Sequence, residues 1–455
     1  MSENTISIAS LRASLKGQVI TQGDTGFDQT RLGFFGGVDR RPFAVVRVAD
    51  AQDISHLISL AREHGMELAI RSGGHSSAGH SSTQGGLLLD LANLRGLHID
   101  PDRRTALAET GLTAGAFTTA AGVHNLATGF GDTGSVGIGG LTLGGGVGYL
   151  VRKHGLTIDD LLAAEMVTAD GQVLHVDAST HPDLFWAIRG GGGNFGVATR
   201  FHFRMHAVPQ VLGGMLVQPA TAEVIASFIA EAELAPNELS TIANVMTAPP
   251  MPFLPEEIHG KLIVMSMLVY AGEIDAGERV IAPFRSLARP YADMIKPMAY
   301  PEIYTPDQAD YHPVAAGRTL FLDRIDRRVA EQLLDHLTTS TGTMAYAQLR
   351  VLGGAMARIS AADTAFAHRR SRIMVNLGAL YEKPQEKSLH ETWVTDFATA
   401  IKQGDEGAYV NFIGDEGADR VRAAYPGPTW KKLAEIKNRY DPDNFFRLNH
   451  NIPPS

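Results

Sequence analysis

The chain of 455 residues contains no cysteine. Disulfides, thiolate metal sites and cysteine nucleophiles are thereby excluded, and no metal centre is expected. Long apolar runs are missing too. The longest, Leu262–Tyr270, has the length of a strand and falls far short of the ~20 residues that cross a bilayer. Clustered positive charge is also lacking. The net charge is −9, and basic residues come only as short pairs such as Arg40-Arg41 and Arg103-Arg104. Nucleic acid and anionic membranes call for concentrated positive charge, so neither is expected as a partner. The N-terminal stretch has no basic start followed by an apolar core, as a secretory signal would. No internal repeat or low-complexity segment occurs. A cytoplasmic protein, monomer or homodimer, is the expectation.

Apolar residues make up 44% of the chain and charged residues 20%, which is ordinary for a globular protein of more than one folded unit. Glycine is unevenly placed: 19 of the 48 glycines fall within residues 71–148. Glycine lets backbone approach a ligand closely, so this density suggests a site lined by main chain. Around it, strands and helices alternate. Residues 42–48, 67–71 and 86–91 read as strands. Residues 50–64 read as a helix capped by Asp50. Residues 163–168 and 172–177 flank Asp170-Gly171, a hairpin signal. Residues 182–189 read as a helix and 197–206 as a strand. Beyond about residue 211 the texture changes. Strands at 262–270 and 373–381 alternate with helices at 329–338 and 390–401, as in an antiparallel sheet carrying helices. A last helix over 428–439 runs into an extended tail.

Gly191-Gly192-Gly193-Asn194-Phe195-Gly196 matches the spacing of a dinucleotide fingerprint. Such a loop follows a strand and opens a helix, whereas here a helix precedes and a strand follows, so that reading fails on context. Two other clusters are more informative. One is Arg71-Ser72-Gly73-Gly74-His75-Ser76-Ser77. The other runs from Gly131 to Tyr149 and holds Thr133, Gly134, Val136, Gly137, Gly139, Gly140 and Gly145. Each offers backbone N–H groups and hydroxyls without bulk, as an anion nest requires, and a diphosphate fits between them.

Together with the helix-then-glycine segment at 182–197 and the tail YDPDNFFRLNHNIPP, these clusters resemble the berberine bridge enzyme-like family, within the vanillyl-alcohol-oxidase type of FAD proteins. The likeness covers essentially the whole chain, and the bacterial 6-hydroxy-D-nicotine oxidase group shares the pattern most fully. It implies an α+β fold: a two-part FAD-binding domain over 1–210 and 405–455, and a substrate domain over 211–404 with an antiparallel sheet covered by helices.

The resemblance also assigns roles. His75 would carry FAD through a single covalent bond to the flavin 8α-methyl carbon, with His80 the weaker candidate. Relatives with a second, cysteinyl link place it at the position of Thr133, and a chain without cysteine cannot form it. Arg71, Ser72, Gly73, Gly74, Ser76, Gly134, Gly137, Gly139, Gly140, Gly145 and Val197 would surround the cofactor. Val136 would stand where oxygen approaches, small enough to admit it; otherwise it is a packing residue. Asn449 and Asn451 would meet the ring edge, where an amide can donate or accept. Tyr409 would be the general base. A phenol with a pKa of about 10 needs cations or hydrogen-bond donors to act near neutrality. On the substrate side stand Tyr149, His368 and Asn376, with Arg372 as a further candidate. Only one parity of the strand at 373–381 can face a site, and the sequence leaves that parity open.

The implied activity is hydride transfer from an alcohol or amine C–H of a small molecule to FAD, with O2 reduced to H2O2. The alternatives are a 6-hydroxynicotine-type amine oxidase, a secondary-metabolite tailoring or cyclising enzyme and, in another class, a flavin-binding protein without turnover.

Overall fold

The computed structural model describes residues 6–304 and 311–455; of the N-terminal stretch read above, residues 1–5 lie outside that part. Three buried apolar strands, Ala44–Arg47, Leu87–Asp90 and Leu68–Arg71, run parallel, and Gln18–Ile20 joins the edge antiparallel. Runs this continuously apolar suit a parallel sheet covered by other elements. The helix Ala51–Glu63 makes the crossover. The Asp50 carboxylate caps it by accepting from the Gln52 and Asp53 N–H groups.

A second, antiparallel sheet follows in the order Leu97–Asp100, Thr105–Glu109, Val197–Arg204, Leu161–Val167, Val173–Asp177. The turn at Asp170-Gly171 joins the last two, and Gly171 takes the positive φ of 79° that the tight turn needs. One face of this sheet packs with the helix Pro182–Ile188 and the C-terminal helix Pro428–Tyr440. Phe201, Phe203, Trp186, Tyr425, Leu433 and Ile452 share one buried cluster there, so residues far apart in sequence close one core.

Among the described residues the largest sheet has eight antiparallel strands. Its main path runs Ala292–Asp293, Val211–Pro219, Leu262–Tyr270, Leu239–Thr247, Met344–Val351, Ile373–Leu380, Ala315–Leu322. Helices Ala222–Leu234, Ile274–Ser286, Arg327–Thr338 and Lys387–Ile401 cover one face through Phe228, Phe284, Leu333, Phe397 and their neighbours. Alternation decides the rest. Ala345, Ala347, Leu349 and Val351 point into that helical core, so Tyr346, Gln348 and Arg350 point the opposite way. Among the described residues no helix is long and apolar enough to cross a membrane. Nor is any cluster of three His, Asp or Glu side chains arranged to hold a metal ion.

Candidate active site

The free face of the large sheet, the two glycine clusters and the C-terminal tail enclose a cavity of about 460 Å³, within the range typical of ligand pockets. It reaches from Ile70, Leu91 and Val197 at the strand ends to Tyr346 and Asn376 on the sheet.

The two clusters touch through backbone. A Cβ on Gly73 would lie 2.1 Å from the Gly137 amide nitrogen, so only glycine fits. The Ser72 hydroxyl bridges the clusters by donating to the Thr110 carbonyl at 2.6 Å and accepting from the Gly139 N–H at 3.3 Å. Gly74 turns the chain with φ of 74° and delivers His75 to the cavity wall. There the His75 ring stacks on Phe34, with centroids 4.2 Å apart and planes 15° from parallel. Ser76, Thr133, Val136, Gly137, Gly139, Gly140 and Val197 also line the cavity.

His80 lines it too, edge-to-face with His450 of the tail at 4.8 Å. Burial lowers the pKa of His80 to about 4 and that of His450 to about 3, so both are neutral at pH 7.

Asn194 fixes the tail in place. Its amide donates to the Gly191 and His450 carbonyls, and its Oδ1 accepts from the Ile452 N–H. Beneath it, the fully buried Lys437 ammonium donates to the Asn194 carbonyl at 2.7 Å, the Phe446 carbonyl at 2.9 Å and the Asp441 carboxylate at 2.6 Å. Asn449 lines the cavity and donates to the Gly193 and Phe446 carbonyls, while its Oδ1 is buried without a partner among the described residues.

Tyr409 enters from a chain segment below the sheet. Its ring lies between Phe366 and Phe412, and its hydroxyl oxygen accepts from the Gly146 N–H and the Asn411 amide, both at 2.9 Å. Burial nonetheless holds the phenol above its ordinary pKa, against the pull of these donors and of Arg350.

Directly paired residues of an antiparallel sheet share a face, and three rows cross this one. The first is Pro219, Ile263, Met246, Tyr346 and Gly378. The second is Val217, Met265, Asn244, Gln348 and Asn376. The third is Met215, Met267, Ile242, Arg350 and Met374. Asn376 therefore faces the cavity, which settles the parity left open above. Tyr346 lies across Gly378, where a Cβ would meet its ring at 2.3 Å.

Several expected residues stand elsewhere. The Arg71 side chain passes Gly74 and lines a neighbouring pocket with Ser72 and Gly73, while its guanidinium donates to the buried Asp90 carboxylate at 2.8 Å and to the Leu32 carbonyl. Gly134 packs on Tyr304 and Gly115, and Gly145, with φ of 133°, is a corner between Phe366 and Tyr409. Asn451 lies beyond the lining, although its Oδ1 is buried without a partner among the described residues. Tyr149 is buried in an apolar cluster with Leu150 and Tyr300, and burial pushes its phenol far up. His368 stacks on Phe321 and donates to the Ala424 carbonyl, since its loop folds towards the C-terminal segment. Arg372 pairs with Glu233 at the surface.

The sequence reading passed over Asp132, Tyr346, Gln348, Arg350 and Asn411, all of which line the cavity. For the sheet residues a signal existed: in MAYAQLRV, larger polar side chains recur at every second position of an otherwise apolar strand.

These features suit FAD. The glycine contact leaves an all-backbone nest, and the Ser135 Oγ and Asn449 Oδ1 are buried polar atoms without partners among the described residues. Comparisons with known proteins agree. Residues 42–177 match the FAD binding domain model, and residues 408–453 match the model described as berberine and berberine like. The (R)-6-hydroxynicotine oxidase of Paenarthrobacter nicotinovorans is 29% identical, over 97% of both chains. An uncharacterised FAD-linked oxidoreductase of Bacillus subtilis is also 29% identical, over 97% of this chain and 99% of its own. The crystal structure of 6-hydroxy-D-nicotine oxidase from Arthrobacter nicotinovorans superposes with a TM-score of 0.85 at 27% identity, over 97% of this chain and 99% of that one. The α+β fold, the two matched models and these relatives agree: the chain carries an FAD binding domain and a berberine-like C-terminal segment, and it is an FAD-linked oxidoreductase.

Proposed function

We propose that the chain is an oxidase that removes hydride from a carbon bearing OH or NH in a small molecule and passes the electron pair to O2, giving H2O2. FAD, held through His75, supplies the hydride acceptor. The observation that carries this reading is the convergence of His75, Tyr409 and the sheet residues Gln348 and Asn376 on one cavity.

Residues 1–210 and 405–455 hold the cofactor in this reading, and residues 211–404 present the substrate. Gly73, Gly74, Gly137, Gly139 and Gly140, which line the cavity, would hold the diphosphate, with the Gly139 N–H already bound to Ser72. Phe34 fixes the plane of the His75 ring, which a nucleophilic nitrogen needs for a defined approach. Tyr409, as the phenolate, takes the substrate hydroxyl proton at Oη, where the Gly146 N–H and the Asn411 amide stabilise the charge of that deprotonated form. Val136 leaves room for oxygen on the cavity wall. A second reading, a 6-hydroxynicotine-type amine oxidase, draws support from the relative that is 29% identical along its length.

The test is on protein denatured in acid and washed. Flavin colour stays with wild type and is lost from His75→Ala, while wild type consumes O2 and releases H2O2 with a substrate found by screening alcohols and amines. Release of all flavin from wild type would refute the tether.

A further inference from the structure

Among the described residues lining the cavity, Asp132 and Arg350 are the only Asp, Glu, Lys or Arg side chains. They are paired. Arg350 Nη2 donates to Asp132 Oδ2 at 2.5 Å across 218 residues of sequence. The side chains are 4% and 23% exposed, so both charges are largely withdrawn from water.

The rest of the guanidinium is committed as well. Nη1 donates to the Val147 carbonyl at 3.0 Å, Nε to Gln348 Oε1 at 3.0 Å and Nη2 to the same oxygen at 2.6 Å. The plane rests on the Phe412 ring, 5.0 Å from its centroid. A guanidinium has five N–H donors in all, and these contacts leave too little for the two-point grip that a carboxylate ligand takes from arginine. The other ends of the network are neutral amides: Gln348 Nε2 donates to Asn244 Oδ1 at 3.1 Å, and Asn376 stands opposite Gln348 in the same row. His80 and His450 add no charge at pH 7.

We propose that the Arg350–Asp132 pair makes this a site for uncharged hydroxylated substrates, an alcohol in preference to a protonated amine or a carboxylate. This deepens the oxidase reading and rests on it. A protonated amine entering the cavity would lose its water and find the one carboxylate already taken, and a carboxylate would find the one cation taken. A hydroxyl needs only single donors and acceptors, which Gln348, Asn376 and Tyr409 supply. Arg350 and Asp132 are thus specificity-determining residues that act by cancelling each other, and each alone would invite the opposite charge.

The test uses the FAD-loaded protein at pH 7 with three probes of one shape: benzyl alcohol, benzylammonium and benzoate. Dissociation constants are read from perturbation of the flavin spectrum without O2, and bleaching of the flavin is recorded separately. Wild type is expected to bind benzyl alcohol more tightly than either ion by about tenfold or more. Arg350→Met gains about tenfold or more for benzylammonium, Asp132→Asn gains as much for benzoate, and the double variant gains neither. Should Arg350→Met fail to fold, Asp132→Asn and the double variant still decide. Equal binding of an ion and the alcohol by wild type, or no charge-selective gain in the variants, overturns the proposal. Charge-selective binding without bleaching by any substrate would instead overturn the oxidase reading and leave the pair's role standing. Ready bleaching of wild type by benzylammonium at pH 7 would do the reverse.

Discussion

Gly73 and Gly137 meet amide to amide: a Cβ on Gly73 would lie 2.1 Å from the Gly137 nitrogen, and one on Gly137 would lie 2.2 Å from the Gly73 nitrogen. Both atoms are backbone, so neither can swing aside. Gly73→Ala must therefore push the two clusters apart. Overpacking of this kind costs about 1–3 kcal/mol. The expected outcome is a lower melting temperature together with a lower ratio of flavin to protein after purification. A variant that keeps its full flavin content would show that the contact does not shape the nest.

Tyr409 carries a second expectation. Burial places its phenol above the ordinary pKa, and a base works in its deprotonated form. The rate of flavin bleaching by an alcohol should accordingly keep rising through the alkaline range. Tyr409→Phe should lower that rate by about 10²-fold or more and abolish the rise. Asn411→Ala, which removes one donor to the phenol oxygen, should shift the rise to higher pH. A pH profile unchanged in Tyr409→Phe would remove this residue from the proton transfer.

Acid should loosen the tail. His80 and His450 have depressed pKa values in the folded chain, so the unfolded chain takes up protons from about pH 6.5 downwards that the folded chain refuses. Their contribution is intact above about 6.5 and is lost as the pH falls towards 4 and then 3. Urea midpoints measured from pH 7 to 4 should fall less steeply in His80→Leu/His450→Leu than in wild type. An identical fall in both would assign it to other groups.

Lys437 and Asp441 are both completely buried, 2.6 Å apart. Lys437→Met leaves the Asp441 carboxylate without its cation, which costs about 3–5 kcal/mol in sites of this kind. It also frees the carbonyls of Asn194 and Phe446. Chemical denaturation should record the loss, and the variant should be purified with a lower ratio of flavin to protein. Lys437→Met/Asp441→Leu should recover part of the stability, because no charge is then stranded.

Much of this molecule was legible in the sequence where a local rule and a long-range one coincide. Asp50 caps a helix whose apolar period also suits the parallel sheet beneath it, and both signals point to the same residues. The glycine run at 191–196 was read as a non-Rossmann loop from its flanks alone, and the helix Pro182–Ile188 and strand Val197–Arg204 stand where those flanks require. What stayed hidden depends on contacts between distant segments. Nothing near Asp132 announces an arginine 218 residues away. Nor does anything beside Arg71 announce that its guanidinium pairs with Asp90, 19 residues on. His368 follows its loop towards Ala424, a direction set by tertiary packing.

The wall supplied by Asn194, Asn449 and His450 has a consequence for the order of events in the cell. A ribosome that has delivered the two glycine clusters and all eight strands of the large sheet has still not released the segment that closes the cavity. The cavity is therefore completed only when Asn449 and His450 emerge. A message truncated after the helix Lys387–Ile401 would yield the great sheet and its helices without Asn449 and His450, the residues that bind Gly193 and Asn194 at the cavity wall.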